Sequence, residues 1–152
     1  MIDPGHGGRF PGAIGPAGTQ EKDVVLEVSK ILEADLIEMG AEVRMTRSSD
    51  VEVAPGGSLR DDLKARVDLA NQWPADLFIS VHANSAENSA AKGTETFHAI
   101  KASDRSKTLA KLLQKSMIDD LALTDRGVKA SNFYVIKNTK MPASLVELGF
   151  LS

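Results

Sequence analysis

The chain contains no cysteine. Disulfides and thiolate zinc sites are therefore excluded, and any metal site must be built from histidine, aspartate and glutamate. No run of 18 apolar residues occurs, so no membrane span is expected. Met1 is followed at once by Ile2-Asp3-Pro4, without an apolar leader. Basic excess is also missing. A net charge of −3 gives no sign of a nucleic-acid or anionic-membrane partner. Neither GxxxxGK[ST] nor GxGxxG is present, which removes the common nucleotide loops. Absence of cysteine fits either side of a membrane and does not fix the compartment.

What remains is an ordinary globular composition, 42% hydrophobic and 26% charged over 152 residues, enough for one domain with a core. Residues 77–81 form an apolar run that reads as a strand buried on both faces. It ends on His82, followed by Ala83 and Asn84. Ligands collect outside the carboxyl ends of such strands. The plain alternative for a lone histidine is a buried ring satisfied by a backbone carbonyl.

Ile2-Asp3-Pro4 looks like a strand running into a glycine- and proline-rich loop that carries His6. Such a loop suits close approach by backbone or ligand; the alternative is a surface loop in which His6 means nothing. A helix is predicted over about 20–39, with Val25, Val28, Leu32, Leu36 and Met39 as its apolar stripe. Thr19 is the expected N-cap, Gly40 the expected terminator, and Glu21 falls in the first turn, where simple dipole electrostatics also accounts for a carboxylate. An alternating strand is predicted over 42–46. A second helix opens with the capping box Ser58 to Asp61 and runs to about Asn71. A polar loop follows at 85–92, then a strand over 93–99 whose His98 reads as a surface residue. A third helix is predicted over about 103–121, a turn at Asp125-Arg126-Gly127, a strand over 133–136 and a last strand over 144–148 carrying Glu147. A glutamate on a buried strand is costly unless paired or neutral, and its plain reading is an ion pair. Strands alternating with helices predict an α/β fold: a three-layer sandwich with a mixed, mostly parallel central sheet flanked by helices. Residues 1–152 read as one domain that appears trimmed at both ends.

His6, Glu21 and His82 together would make a catalytic zinc set of three protein ligands with a fourth position open to water. The spacing is long and irregular and lacks an HExxH helix, so pattern alone leaves the set weak.

Longer motifs bear on it. Asp3 to Gly8 reads D-P-G-H-G-G, Gly12 to Gly15 reads G-A-I-G, and Gly18 to Asp23 ends in E-K-D. Thr46, Arg47 and Asp50, then Arg66, Ala70 and Asn71, then Ala75 to Asn84 continue the series. Arg126 to Lys129, Phe133 to Val135 and Pro142 to Ser152 complete it. In these motifs the chain resembles the zinc-dependent N-acetylmuramoyl-L-alanine amidases of the type 3 cell-wall family, over nearly its whole length. The resemblance implies that His6, Glu21 and His82 hold one Zn2+ ion and that Glu147 is the catalytic carboxylate. It implies hydrolysis, by zinc-activated water, of the amide between the lactyl group of N-acetylmuramic acid and L-alanine in peptidoglycan. Arg66, Asn71 and Asn84 match too, and read as hydrogen-bonding supports. Some relatives carry a long helical plug near residues 94–99; here Phe97 to Ser106 is short, so an unplugged domain is expected. The substrate implies an extracytoplasmic enzyme, and a monomer is expected. A zinc carboxypeptidase acting on wall peptides is the competing enzyme reading. A wall-binding module that has lost catalysis is the competing reading from another class.

Overall fold

The computed structural model describes residues 1–88 and 90–151. The loop expected over 85–92 includes Ser89, and the last motif ends on Ser152; both lie outside the described residues. The elements run β1 (Ile2–Pro4), α1 (Glu21–Glu38), α2 (Leu59–Gln72), β2 (Phe78–Asn84), β3 (Thr94–His98), α3 (Asp104–Leu121), β4 (Asp125–Ala130), α4 (Tyr134–Asn138) and β5 (Ala143–Phe150). Among the described residues the strands form one sheet in the order β1-β2-β5-β3-β4. The β1–β2, β2–β5 and β3–β4 pairings are parallel and β3–β5 is antiparallel.

Alternation along the strands divides the core. Phe78, Ala143 and Leu145 pack with Val67 and Ala70 of α2 and with Val135 and Ile136 of α4. Val81, Ala83 and Val146 pack on the other face with Val25 of α1, flanked by Leu113 and Met117 of α3. The predicted three-layer, mostly parallel α/β architecture is therefore what the chain adopts. Two predicted helix termini also form. Ser58 and Asp61 exchange both capping-box hydrogen bonds, and Gly40 takes φ +88° just past α1, where its N–H reaches the Ile37 carbonyl.

Several local expectations fail, each for a physical reason. The strand predicted over 42–46 reduces to one parallel bridge between Met45 and Ile2, because β1 is too short to support a longer ladder. Of the strand predicted over 133–136, Tyr134 to Ile136 are helical and Phe133 is the N-cap of α4: Lys137 N–H bonds Phe133 O and Thr139 N–H bonds Val135 O. Four apolar residues with β-propensity do not distinguish a strand from a short buried helix. Asp125-Arg126-Gly127 opens β4 instead of turning: Thr94 faces Asp125 and Thr96 faces Val128, so Arg126 and Gly127 together oppose Glu95 in a bulge. The N-cap of α1 is Gln20, without a side-chain bond; the free N–H groups of Glu21 and Lys22 instead bond the carbonyls of Ala13 and Pro11. Met39, counted in the α1 stripe, is 81% exposed, and Leu77, counted in the central strand, is 40% exposed.

The loop after β1 is fixed by buried charge. The Arg66 guanidinium is 1% exposed. It pairs with Asp3 (2.9 Å) and Asp62 (2.8 Å) and donates to the carbonyls of Pro4 and His6. Asp3 also accepts from Thr46 Oγ1 (2.6 Å) and Ser80 Oγ (2.7 Å). Arg47 donates to the carbonyls of Pro4, Gly5 and Lys22. Replacing Arg66 by alanine leaves two buried carboxylates uncompensated. The expected cost is about 3–5 kcal/mol, a fall in Tm of roughly 10 °C for a chain of this size, measured by circular dichroism at neutral pH. A Tm within a degree or two of the parent would show that the network is not structural.

Candidate metal centre

His6, Glu21 and His82 each offer one donor atom within 4.8 Å of the other two. They reach this point by different routes. His6 sits just past β1 with φ +60°, a left-handed backbone rare for a non-glycine residue and held here by Arg66 on its carbonyl. His82 is inside β2, which continues two residues further than the apolar run suggests. Glu21 is the first residue of α1.

The Glu21 carboxylate is anchored before any ligand arrives. Oε2 accepts from Ala13 N–H (2.8 Å) and Oε1 from Ala83 N–H (3.1 Å). Oε1 also lies 3.1 Å from His6 Nε2 and 2.8 Å from His82 Nδ1. Burial opposes its ionisation, but the hydrogen bonds and charges of the two imidazoles win and hold Glu21 well below the usual carboxylate range. Two glycines make the packing possible. A Cβ at Gly5 would come within 2.3 Å of the His82 ring, and one at Gly12 within 2.4 Å of Glu21 Oε2. The glycine-rich loop thus serves close approach of backbone to the cluster.

Two imidazole nitrogens and a carboxylate oxygen, converging on an open side, match the donor set of a catalytic zinc. The open side is a cavity of about 550 Å³. Beside the cluster its polar lining includes Asn84 and Glu147, and its apolar lining includes Leu63, Phe133, Tyr134 and Val135.

Glu147 faces the cluster because β5 lies beside β2 in parallel register, with Glu147 opposite His82. Among the described residues the ion pair considered for it does not form. Its Oε2 is buried without a hydrogen-bond partner, and burial, with Glu21 and Glu95 nearby, pushes its pKa up to about 8. An orphaned carboxyl oxygen aimed at a donor cluster fits a site that takes further ligands.

Other motif residues act as supports. Asn71 donates to Asn138 O and accepts from Lys140 N–H, tying α2 to the segment after α4. Asp50 accepts from Gly8 N–H and Lys22 Nζ, closing the loop that carries His6. His98 stays outside the cluster, its Nδ1 against the Ala99 carbonyl. Sequence reasoning passed over Glu95, which is 5% exposed and pairs with Arg126 and Lys129. A glutamate flanked by two buried threonines on a strand was the available signal.

Comparison with known proteins agrees with this geometry. The family model described as N-acetylmuramoyl-L-alanine amidase matches residues 1–152. The N-acetylmuramoyl-L-alanine amidase LytC of Bacillus subtilis (strain 168) is 40% identical over 153 residues, which cover 100% of this chain and 29% of that protein. The germination-specific N-acetylmuramoyl-L-alanine amidase of the same organism is 39% identical over 158 residues, 99% of this chain and 66% of that one. The chain thus spans between three tenths and two thirds of these curated relatives. The crystal structure of an N-acetylmuramoyl-L-alanine amidase from Clostridium difficile 630 superposes with a TM-score of 0.90 at 37% identity, covering 99% of this chain and 78% of that one. The chain belongs to the N-acetylmuramoyl-L-alanine amidase family.

Proposed function

We propose that this domain hydrolyses the amide joining the lactyl group of N-acetylmuramic acid to the L-alanine of the stem peptide in peptidoglycan. The observation that carries the reading is the convergence of His6, Glu21 and His82 beside an unpartnered Glu147 carboxyl at one cavity. His6, Glu21 and His82 would hold one zinc ion. When bound there, zinc supplies Lewis-acid polarisation of a carbonyl and acidifies water.

The remaining roles fall to the chain. Glu147 takes the proton of the attacking water and delivers it to the alanine nitrogen as the amide breaks. Its raised proton affinity suits the second half of that task. The Ala13 and Ala83 amides fix Glu21, so the cluster requires little reorganisation during the reaction. Leu63, Phe133, Tyr134 and Val135 offer apolar surface to the methyl groups on either side of the scissile amide and limit water access. All four functional side chains come from one chain, which supports action as a monomer. Among the described residues no helix is long and apolar enough to cross a membrane, and the proposed substrate implies an enzyme outside the cytoplasm.

Three measurements test this reading. Glu147→Gln should retain one zinc per chain and lose about 100- to 10,000-fold in kcat, read as newly exposed L-alanine amino termini from digested peptidoglycan. His82→Ala should lose the metal as well as activity, and chelation of the parent should do the same, reversibly on adding zinc. Retained metal in His82→Ala would break the ligand assignment.

The third concerns pH. In the metal-free protein the folded pKa of Glu147, about 8, lies above the ordinary carboxylate value of 4.5. Between those values the folded state binds more protons than the unfolded state, so stability falls as pH rises and levels off above about 8. Thermal melts in chelator across that window should decline by several degrees more for the parent than for Glu147→Gln. Parallel curves would show that Glu147 titrates normally.

A further inference from the structure

Asn84 stands two residues beyond His82 on β2, in the wall of the same cavity. Its side-chain amide is locked in one orientation. Nδ2 donates to Glu95 Oε1 at 2.8 Å, and Oδ1 accepts from Ser85 N–H at 2.9 Å. A flipped amide would set oxygen against carboxylate and N–H against N–H, so the chemistry allows only this orientation. The lock is itself held. Glu95 is buried, and its other oxygen accepts from Arg126 Nε (3.1 Å) and Lys129 Nζ. The bulge at Arg126-Gly127 aims Arg126 at it. The two cations keep Glu95 ionised against the cost of burial, which makes it a strong acceptor.

An Nδ2 group has two hydrogens, and Glu95 takes one. The other has no protein partner among the described residues, although Asn84 is only partly exposed. A fixed donor left open in a cavity wall suits a ligand acceptor. His82 and Asn84 both line the cavity, and residues two apart on a strand lie about 7 Å apart; the irregularity between them falls on β5, where Leu148 and Gly149 together oppose Ala83. With its peptide running toward the end of β2, a substrate whose scissile amide lies at the His6–Glu21–His82 cluster presents its next carbonyl to Asn84.

We infer that Asn84, held by Glu95, is a substrate-binding residue whose free amide hydrogen bonds the carbonyl of the alanine residue that follows the scissile amide. Glu95 is the positioning residue behind it, and Arg126 and Lys129 hold Glu95. The identity of the acceptor rests on the amidase reading; the open donor does not. The arrangement gives the site a means of recognising that a peptide continues beyond the amide it cuts.

The test compares two neutral probes, N-acetylmuramoyl-L-alaninamide and the isopropylamide of N-acetylmuramic acid, which share the scissile amide; the second carries a methyl group in place of the carboxamide and offers no acceptor there. Affinities are measured by ligand-observed NMR on zinc-loaded Glu147→Gln protein. The alaninamide should bind about fivefold more tightly, the size of one neutral hydrogen bond. Adding Asn84→Ala should erase this ratio. Adding Glu95→Ala should erase it too, and both together should do no more than either alone. A merely structural role would weaken both probes alike and leave the ratio intact. An unchanged ratio in Asn84→Ala, strictly additive losses, or no binding of either probe overturns the inference. Turnover of peptidoglycan by the parent protein is scored separately. A parent that leaves peptidoglycan uncut, with the ratio still sensitive to Asn84, overturns the amidase reading and leaves Asn84 as a carbonyl-binding residue.

Discussion

The Arg66 guanidinium, buried between Asp3 and Asp62, is the interaction on which the site depends. Its pairing offsets the cost of removing three charges from water, and two of its other N–H groups go to the Pro4 and His6 carbonyls. Asp62 reaches the other way, accepting from the Val53 and Ala54 amides. One helix, one strand and two loops are thereby joined at a single buried centre. The left-handed backbone of His6, which costs of order 1–3 kcal/mol by itself, persists because this centre over-determines it. From that backbone the ring of His6 reaches the cluster, edge-on to the His82 ring at 5.0 Å between centroids and with Nε2 3.1 Å from Glu21 Oε1.

The sheet supplies what the loop cannot. Parallel pairing of β2 with β5 sets His82 against Glu147, and antiparallel pairing of β5 with β3 sets Glu147 against Glu95. One imidazole and two carboxyl groups thus form a row across three strands on one face. A slip of one residue in either pairing would turn the row to the opposite face. The apolar alternation of Phe78, Leu145 and Phe97, packed below the row with α2 and α4, excludes that slip. Core packing and site geometry are therefore set by the same register.

The donor residues were legible in the sequence because each lies at a break in a local pattern: His82 at the end of an apolar run, Glu21 at a helix start, His6 among glycines, Glu147 on a buried strand. Their convergence was not legible from spacing, since it depends on strand order and on long-range bonds such as Arg66 to His6. The family motifs carried that information, and the structure gives several of them a physical content. The Thr46, Arg47 and Asp50 pattern is a set of three clasps, on the Asp3 side chain, on the carbonyls after β1 and on the Gly8 amide. Local reading failed where tertiary context outweighed propensity. Phe133 to Ile136 has strand composition but caps and opens α4, and Asp125-Arg126-Gly127 has turn composition but forms a bulge. In both, the residues misread stand close to the cavity or to Glu95, where the backbone departs from regular form to aim a side chain.

Three carboxylates within one row and its helix cap have been driven to different states by their neighbours. Glu21, between two imidazoles and two backbone amides, is held ionised. Glu95, between two cations, is also held ionised. Glu147, buried between these two charges and lacking a cation or amide of its own, retains its proton to higher pH. The neutralisation of Glu95 by Arg126 and Lys129 matters here. A bare carboxylate at that position would raise the proton affinity of Glu147 further and hinder its use as a base. The paired one leaves a modest repulsion, which under the proposed mechanism favours proton delivery. The β4 bulge, which carries Arg126, thus bears on the proton affinity of Glu147 through the same carboxylate that orients Asn84.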